Sequence, residues 1–133
     1  MTLVLSERPR TSILIVDDDE GVARSFAQML RQQGYDVRTA TSAEAGLRVA
    51  EDYHPGAIIL DLRMPLMDGL EFLRRLRACS GLQDTKVAIV TGDYFLDDTV
   101  SAELRQLGAQ LRFKPLWRDD LAELARDLLK VSL

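Results

Sequence analysis

Residues 57–69 read AIILDLRMPLMDG, and this stretch decides the fold. Its apolar first part, Ala57–Leu60, has the length and composition of a strand covered on both faces of a sheet. Asp61 follows at once, and the proline and glycine after it are typical of a loop. A leucine stripe at helical spacing comes next (Leu70, Leu73 and Leu76). The stretch therefore predicts a strand, a loop and a helix, with a carboxylate at the carboxyl end of the strand.

The same unit recurs along the chain. Five short β-prone runs are found, and four of them show little polar alternation: Ser12–Val16, Asp36–Ala40, Ala57–Leu60, Lys86–Val90 and Leu111–Phe113. Helical stripes lie between and after them, marked by Val22, Phe26, Met29 and Leu30; Ala43, Leu47 and Ala50; Leu70, Leu73 and Leu76; Val100, Leu104 and Leu107; and Leu121, Leu124, Ala125 and Leu128. This alternation predicts an α/β domain with a doubly wound parallel sheet. We assign residues 12–133 to it and residues 1–11 to an N-terminal lead-in, and we expect a capping box from Thr41 to Glu44 to open the second helix.

The composition fits one globular domain and excludes several classes of protein. The chain has 133 residues, of which 47% are apolar and 29% charged, and domains commonly run about 100–150 residues. The 21 acidic residues outnumber the 17 basic ones, which argues against direct binding to nucleic acid. One cysteine and one histidine exclude a zinc site of the usual type. Because no apolar run is long enough to cross a bilayer and the N-terminus lacks the pattern of a signal peptide, we expect a cytoplasmic protein that binds no membrane.

Polar side chains come directly after four of the five predicted strands. They are Asp17 and Asp18 after the first strand, Asp61 after the third, Thr91 after the fourth and Lys114 after the fifth. The carboxyl ends of parallel strands meet at one edge of a sheet, and ligands of such sheets bind there. We therefore expect these side chains to form one site.

The chemistry of this cluster indicates a cation and a phosphate group. Two unit charges of like sign about 4 Å apart repel by about 4 kcal/mol at an effective dielectric of about 20. A site that holds Asp17, Asp18 and Asp61 together therefore needs a cation, and carboxylate oxygens favour Mg²⁺ over zinc. Lys114 suits contact with a phosphate oxygen, and Thr91 offers a hydroxyl donor. With Asp61 available as a nucleophile, the cluster is typical of an aspartyl-phosphate site.

Each of these residues also has an ordinary structural explanation. An Asp run after a strand is often a turn and a helix N-cap, the role we expect for Asp19. Asp61, Thr91 and Lys114 are each common types at the end of a strand. The prediction of a site rests on their joint occurrence at one edge of the sheet.

Four motifs resemble those of the response regulator receiver domain of bacterial two-component signalling. They are ILIVDDDE at 13–20, LDLRMPLMDG at 60–69, VTG at 90–92 and FKP at 113–115. The second matches the family pattern D-x-x-M-P-x-M-D-G throughout, and the resemblance covers about residues 11–131. It implies a flavodoxin-like fold of five β-α units with strand order 2-1-3-4-5.

The resemblance also implies a magnesium site. Asp18 would ligate Mg²⁺ directly and Asp17 chiefly through water. Asp61 and the backbone carbonyl of Arg63 would supply further oxygens.

The function implied is a phosphorylation-driven switch. Asp61 would accept a phosphoryl group from a sensor histidine kinase or a phosphotransfer protein, Thr91 would bond to that group, and Lys114 would pair with one of its oxygens. Such a chain is a phosphoacceptor signalling domain rather than an enzyme. Its output would be contact with a downstream protein effector or an output domain.

The chain departs from the family at one position of the switch. The family usually places Tyr or Phe three residues before the lysine, where this chain has Leu111. By the two-residue period of a strand, we expect Phe113 to point elsewhere. Tyr94 and Phe95, just after Thr91, are candidates to compensate in part.

Arg63 and Asp93 are the residues two beyond Asp61 and two beyond Thr91. These two positions flank the phosphoryl group in the family and tune its hydrolysis. Since their charges are opposite here, we expect an ion pair over the site that slows the entry of the attacking water.

Other interpretations stay open at this point. An aspartate-nucleophile phosphatase also uses Mg²⁺ on an α/β sheet, but it needs a second Asp two residues after the nucleophile, where this chain has Arg63. Flavin or dinucleotide binding is less favoured, because the diphosphate of such a ligand needs a glycine-rich, uncharged first turn, whereas residues 17–21 read DDDEG. A receiver domain excised from a longer multidomain regulator has the same motifs as a stand-alone one.

Overall fold

The computed structural model describes residues 11–130, which form alternating strands and helices. In chain order these are β1 (Ser12–Val16), α1 (Glu20–Gln32), β2 (Asp36–Ala40), α2 (Ala43–Tyr53), β3 (Ala57–Asp61), α3 (Gly69–Ala78), β4 (Lys86–Thr91), α4 (Asp98–Gln106), β5 (Ala109–Phe113) and α5 (Arg118–Leu129). The lead-in up to residue 10 and the last three residues of the predicted domain lie outside the described residues.

The strands form one parallel sheet in the order β2-β1-β3-β4-β5. Ile13–Val16 of β1 pair with Ala57–Leu60 of β3, and Ala57–Asp61 of β3 pair with Lys86–Val90 of β4. Crossover helices separate sequential strands, as parallel pairing requires. The predicted doubly wound α/β fold and its strand order are confirmed.

Alternate residues of the central strands point to opposite faces of the sheet, and helices cover both faces. In β3, Ile58 and Leu60 pack on α2, α3 and α4, while Ala57 and Ile59 pack on α1 and α5. β1, β3 and most of β4 are buried as a result. This explains why their sequences are continuous apolar runs rather than alternating ones.

The two edge strands are less covered. β2 buries only Val37 and Ala40, and β5 is fully buried only at Ala109, so cover on both faces is incomplete for β5. The bounds also differ slightly from the predicted ones: β3 extends to Asp61, β4 extends to Thr91, and β5 begins two residues earlier. Two of the predicted site residues are therefore the last residues of strands.

Short polar side chains set the starts of four helices. Asp19, Asp68 and Asp97 each accept a hydrogen bond from a main-chain N–H in the first turn of α1, α3 and α4, so the predicted cap at Asp19 is confirmed. The predicted capping box from Thr41 to Glu44 is wrong. Ser42 caps α2 instead, because its hydroxyl accepts from the N–H of Ala45 at 3.1 Å. Within residues 11–130, no helix is long and apolar enough to cross a bilayer.

Candidate functional site

The strand ends bring the predicted polar side chains to one edge of the sheet. Asp61 ends β3 and Thr91 ends the neighbouring β4. Asp17 and Asp18 follow β1 on the other side of β3, and Lys114 follows β5 beyond β4. The site is thus built on four adjacent strands, whose pairing determines where its side chains start.

Three carboxylates converge at this edge. One oxygen each of Asp17, Asp18 and Asp61 lies within 4.8 Å of the others. Asp17 and Asp61 are only 4% and 8% exposed, whereas Asp18 is exposed. Water therefore screens the repulsion between the two buried carboxylates poorly, and the cluster is an acidic centre open on one side.

Lys114 offsets part of this charge. Its ammonium nitrogen lies 3.2 Å from Asp17 Oδ2 and 3.5 Å from Asp61 Oδ1. The other oxygen of Asp17 accepts the N–H of Asp19 at 2.9 Å, which fixes the orientation of the carboxylate. Among the described residues, one cation against three carboxylates leaves the cluster with a net negative charge.

The pKa values of Asp61 and Lys114 reflect these contacts. Burial raises the pKa of Asp61 above its ordinary value, and the nearby Asp17 raises it further, although Lys114 opposes both effects. Burial lowers the pKa of Lys114, but Asp17 and Asp61 outweigh it, so that this pKa is raised overall. Lys114 is therefore charged at neutral pH, and ionised Asp61 is costly to the fold unless a further cation is bound.

The donor set fits Mg²⁺. It consists of carboxylate oxygens with a surplus of negative charge, which a hard divalent cation neutralises. Within residues 11–130, it contains no sulfur or imidazole ligand, which zinc or copper would favour.

Thr91 is fully buried at the end of β4. Its hydroxyl oxygen accepts a hydrogen bond from the N–H of Asp93 at 3.1 Å, so its own proton can be donated elsewhere. Its main-chain carbonyl accepts the N–H of Lys114 at 2.8 Å. Thr91 therefore links the ends of β4 and β5 as well as offering a hydroxyl at the site.

The predicted ion pair between Arg63 and Asp93 is present. Arg63 donates from its guanidinium to Asp93 Oδ2 at 2.5 Å, bridging the loops that follow β3 and β4. This hydrogen bond lowers the pKa of Asp93. The backbone carbonyl of Arg63 as a metal ligand stays a prediction.

Comparison with known proteins decides the family. The model of the response regulator receiver domain matches residues 13–126, nearly all of the chain. The chain belongs to this family. Receiver domains act in phosphorylation-activated signalling and partner with histidine kinases and output domains.

Curated relatives of this receiver domain are longer transcriptional regulators. The transcriptional regulatory protein PrrA of Mycobacterium tuberculosis is 37% identical over 89 residues, which are 67% of this chain and 37% of PrrA. FixJ of Rhizobium meliloti is 48% identical over 65 residues, 49% of this chain and 32% of FixJ. The chain thus spans about a third of the length of these relatives.

Solved structures of similar receivers share the whole fold. The chemotaxis protein CheY4 of Vibrio cholerae is 26% identical, has a TM-score of 0.82, and is matched over 89% of this chain and 98% of its own. A CheY-like receiver domain protein of Methanospirillum hungatei is 31% identical, with a TM-score of 0.82 over 90% of this chain and 93% of its own.

The loop after Asp61 needs a glycine at its end in this receiver domain. A Cβ on Gly69 would lie 2.6 Å from the main-chain oxygen of Asp61 and 2.9 Å from Cα of Leu62. The N–H of Gly69 donates to the carbonyl of Leu62 at 2.8 Å, which closes the loop. Gly69 therefore allows α3 to begin directly against the end of β3.

The positions of Leu111 and Phe113 on β5 differ from the predicted arrangement of side chains near the site. Leu111 packs against the core on the α3 and α4 side of the sheet. The prediction that Phe113 points elsewhere is wrong, because residues two apart on a strand share a face. Phe113 is paired with Thr91 in the sheet and stacks on Tyr94.

Tyr94 also contacts Lys114, since its hydroxyl donates to the main-chain carbonyl of that residue. Phe95, the other candidate in the same loop, is 94% exposed. The sequence signal for this contact was only the presence of two aromatic residues after Thr91. Which of them turns toward β5 depends on the conformation of the loop.

Proposed function

We propose that Asp61 accepts a phosphoryl group from a histidine kinase or a phosphotransfer protein, and that this phosphorylation switches a protein-binding face of the chain. The observation that carries the proposal is the position of Asp61. It is a buried carboxylate at a strand end, 3.5 Å from the Lys114 ammonium and within 4.8 Å of Asp17 and Asp18. A nucleophile, a cation and a pair of metal ligands are thus supplied at one point.

The chemical step is an in-line displacement at phosphorus. A carboxylate oxygen of Asp61 forms the new bond to phosphorus, and the bond from phosphorus to the donor breaks, so that the donor leaves with the electron pair. With acetyl phosphate as the donor, acetate leaves. Lys114 pairs with one phosphoryl oxygen, and the Thr91 hydroxyl donates its proton in a hydrogen bond to another.

Asp17, Asp18 and Asp61 are the residues that hold Mg²⁺ in this proposal, with the backbone carbonyl of Arg63 as a further oxygen. When bound, the ion neutralises charge on the phosphoryl oxygens and the carboxylates. The orientation of Asp17 is already set by the N–H of Asp19 and the ammonium of Lys114. The Asp17 side chain therefore loses less conformational freedom when the ion binds.

A phosphodonor protein must approach the edge of the sheet where Asp61 lies. Large apolar side chains are exposed in two of the loops that follow strands at this edge: Leu66 after β3 and Trp117 after β5. Exposed apolar and aromatic side chains are typical of protein-binding surfaces. We place the chain in the cytoplasm, and we propose that its output is contact with a downstream protein or with an output domain.

Phosphorylation by a small donor tests the proposal. Incubation with Mg²⁺ and acetyl phosphate should add one phosphoryl group to the intact chain, as measured by mass spectrometry, and chelation of Mg²⁺ should prevent it. The matched variant Asp61→Asn should gain nothing under the same conditions. Repeated turnover of phosphate esters by the wild-type chain would instead support the phosphatase interpretation, and no mass gain would refute phosphorylation by this route.

A further inference from the structure

Tyr94 lies in the loop between β4 and α4, three residues beyond Thr91. Its ring stacks on Phe113, with the centroids 5.4 Å apart and the ring planes 25° from parallel. Its hydroxyl donates to the carbonyl of Lys114. Two side-chain contacts therefore join this loop to the end of β5.

The main-chain N–H and carbonyl groups of Lys114 both make hydrogen bonds. Its N–H donates to the carbonyl of Thr91 at 2.8 Å, and its carbonyl accepts the hydroxyl of Tyr94. From this anchored backbone the side chain reaches Asp17 and Asp61, at 3.2 and 3.5 Å. Since the start of a side chain limits where its end can lie, a shift of the Lys114 backbone would move the ammonium relative to Asp61.

Core packing does not account for the position of Tyr94. The residue is 58% exposed, and its stacking partner Phe113 is 40% exposed. Leu111, on the same face of β5, fills the core there but carries no hydroxyl. The Tyr94 hydroxyl is thus a polar contact added at the surface, directed at the main chain of a site residue.

We propose that Tyr94 is a positioning residue for phosphoryl transfer. Its hydroxyl holds the backbone of Lys114, and thereby sets the ammonium beside Asp61 and connects the site to the loop that leads into α4. Tyr94 touches no reacting atom and acts through Lys114. The inference rests on the proposed phosphorylation of Asp61.

The variant Tyr94→Phe tests this role, because it removes the hydroxyl and keeps the ring that stacks on Phe113. The matched control is Phe95→Ala, which alters an exposed aromatic residue in the same loop. For each chain we would measure the maximal rate of phosphorylation by acetyl phosphate, the Mg²⁺ concentration that gives half of that rate, and the melting temperature. We expect the maximal rate of Tyr94→Phe to fall about fivefold, the effect of one ordinary hydrogen bond. Its half-saturating Mg²⁺ and melting temperature should stay at wild-type values, and Phe95→Ala should match the wild type throughout.

A wild-type rate for Tyr94→Phe would overturn the proposal. So would a loss of rate accompanied by weaker Mg²⁺ dependence and a lower melting temperature, since that pattern indicates general loosening. If the wild-type chain takes up no phosphoryl group, the proposed function fails, and amide hydrogen exchange then decides the positioning role. Faster exchange of residues 92–97 in Tyr94→Phe than in Phe95→Ala would support the link from Tyr94 to Lys114, and equal exchange would refute it.

Discussion

Burial of Asp61 raises the pKa of its carboxyl group on folding, and the negative charge of the neighbouring Asp17 raises this pKa further. The folded chain therefore binds this proton more tightly than the unfolded chain, so ionisation of Asp61 lowers the free energy of unfolding as pH rises through the raised pKa. We predict that Asp61→Asn raises the melting temperature at neutral pH without Mg²⁺. A gain on the order of 1 kcal/mol corresponds to about 3–5 °C in a domain of this size. Thermal unfolding in the presence of a chelator measures it.

The gain from Asp61→Asn should shrink as pH falls through the raised pKa and be lost below about 4, the ordinary pKa of Asp, because Asp61 is then protonated in both states. Asp119→Asn is the control, since the Asp119 side chain is 96% exposed, and it should change the melting temperature little. A gain that grows toward acid pH would contradict the assignment of the cost to the ionised Asp61.

The ion pair of Arg63 and Asp93 bridges the two loops beside Asp61. If it slows the entry of water, replacing both residues with Ala should shorten the lifetime of the aspartyl phosphate by about two- to fivefold, in line with a surface ion pair. The decay of the phosphorylated mass after removal of acetyl phosphate measures this lifetime. A control that replaces the exposed pair Arg24 and Glu20 should leave the lifetime unchanged, and an unchanged lifetime in the Arg63 and Asp93 variant would remove the hypothesis.

The sequence was sufficient to predict where the site residues lie, because each stands at the carboxyl end of a strand whose apolar run is visible. Asp17, Asp18, Asp61, Thr91 and Lys114 could be placed together from topology alone. The contact of Tyr94 with Lys114 could not, since it depends on the path of an irregular loop. The cap of α2 was misplaced by one residue for a similar reason: Thr41 and Ser42 are both good N-cap types, and only the backbone shows which one is extended at the helix start.

At the scale of elements, α2 packs closely on the sheet through Gly46. A Cβ there would lie 2.8 Å from Cγ2 of Val16 and 3.1 Å from the ring of Phe72. Gly→Ala in a helix interior ordinarily stabilises by about 0.5–1 kcal/mol. We predict that Gly46→Ala instead lowers the free energy of unfolding by about 1–3 kcal/mol, because the added methyl overfills the core.

Denaturant unfolding measures the effect of Gly46→Ala. Gly92→Ala is the control, since a Cβ at that position would meet no atom of the described part of the chain within 4 Å, and it should be close to neutral. Equal stability of the two variants would show that α2 can move away from β1 at little cost.

Elements with long apolar runs or stripes were predicted well, and the edges of the sheet less well. The run Ser12–Val16 has the bounds of β1 as predicted. β5 begins at Ala109 rather than Leu111, because Ala and Gln carry little strand signal and pairing with β4 decides their conformation.

At the scale of the whole molecule, Mg²⁺ should stabilise the fold. A ligand that binds only the folded chain adds about 1.4 kcal/mol at a concentration ten times its Kd. We predict that the melting temperature rises with Mg²⁺ and that Asp17→Asn reduces this rise. A matched increase in ionic strength with KCl controls for screening. An equal rise in Asp17→Asn would contradict the assignment of Asp17 to the metal site.

The abundance of Asp over Glu in this chain has two structural sources. Three of the 14 Asp residues converge at the site, where a short side chain holds its carboxylate close to a strand end. Three others, Asp19, Asp68 and Asp97, cap helices, a role that Asp fills well because its oxygen reaches the first-turn N–H groups. The composition shows the excess of Asp over Glu, and the positions of these residues at strand ends and helix starts explain part of it.

The most direct test of phosphorylation at Asp61 is to locate the phosphoryl group. The chain would be treated with Mg²⁺ and acetyl phosphate, reduced with borohydride, which converts an aspartyl phosphate to homoserine, digested, and sequenced by mass spectrometry. We predict homoserine at position 61 alone, absent when Mg²⁺ is chelated. Homoserine at position 17 or 18 in place of 61, or no converted residue at all, would contradict the account.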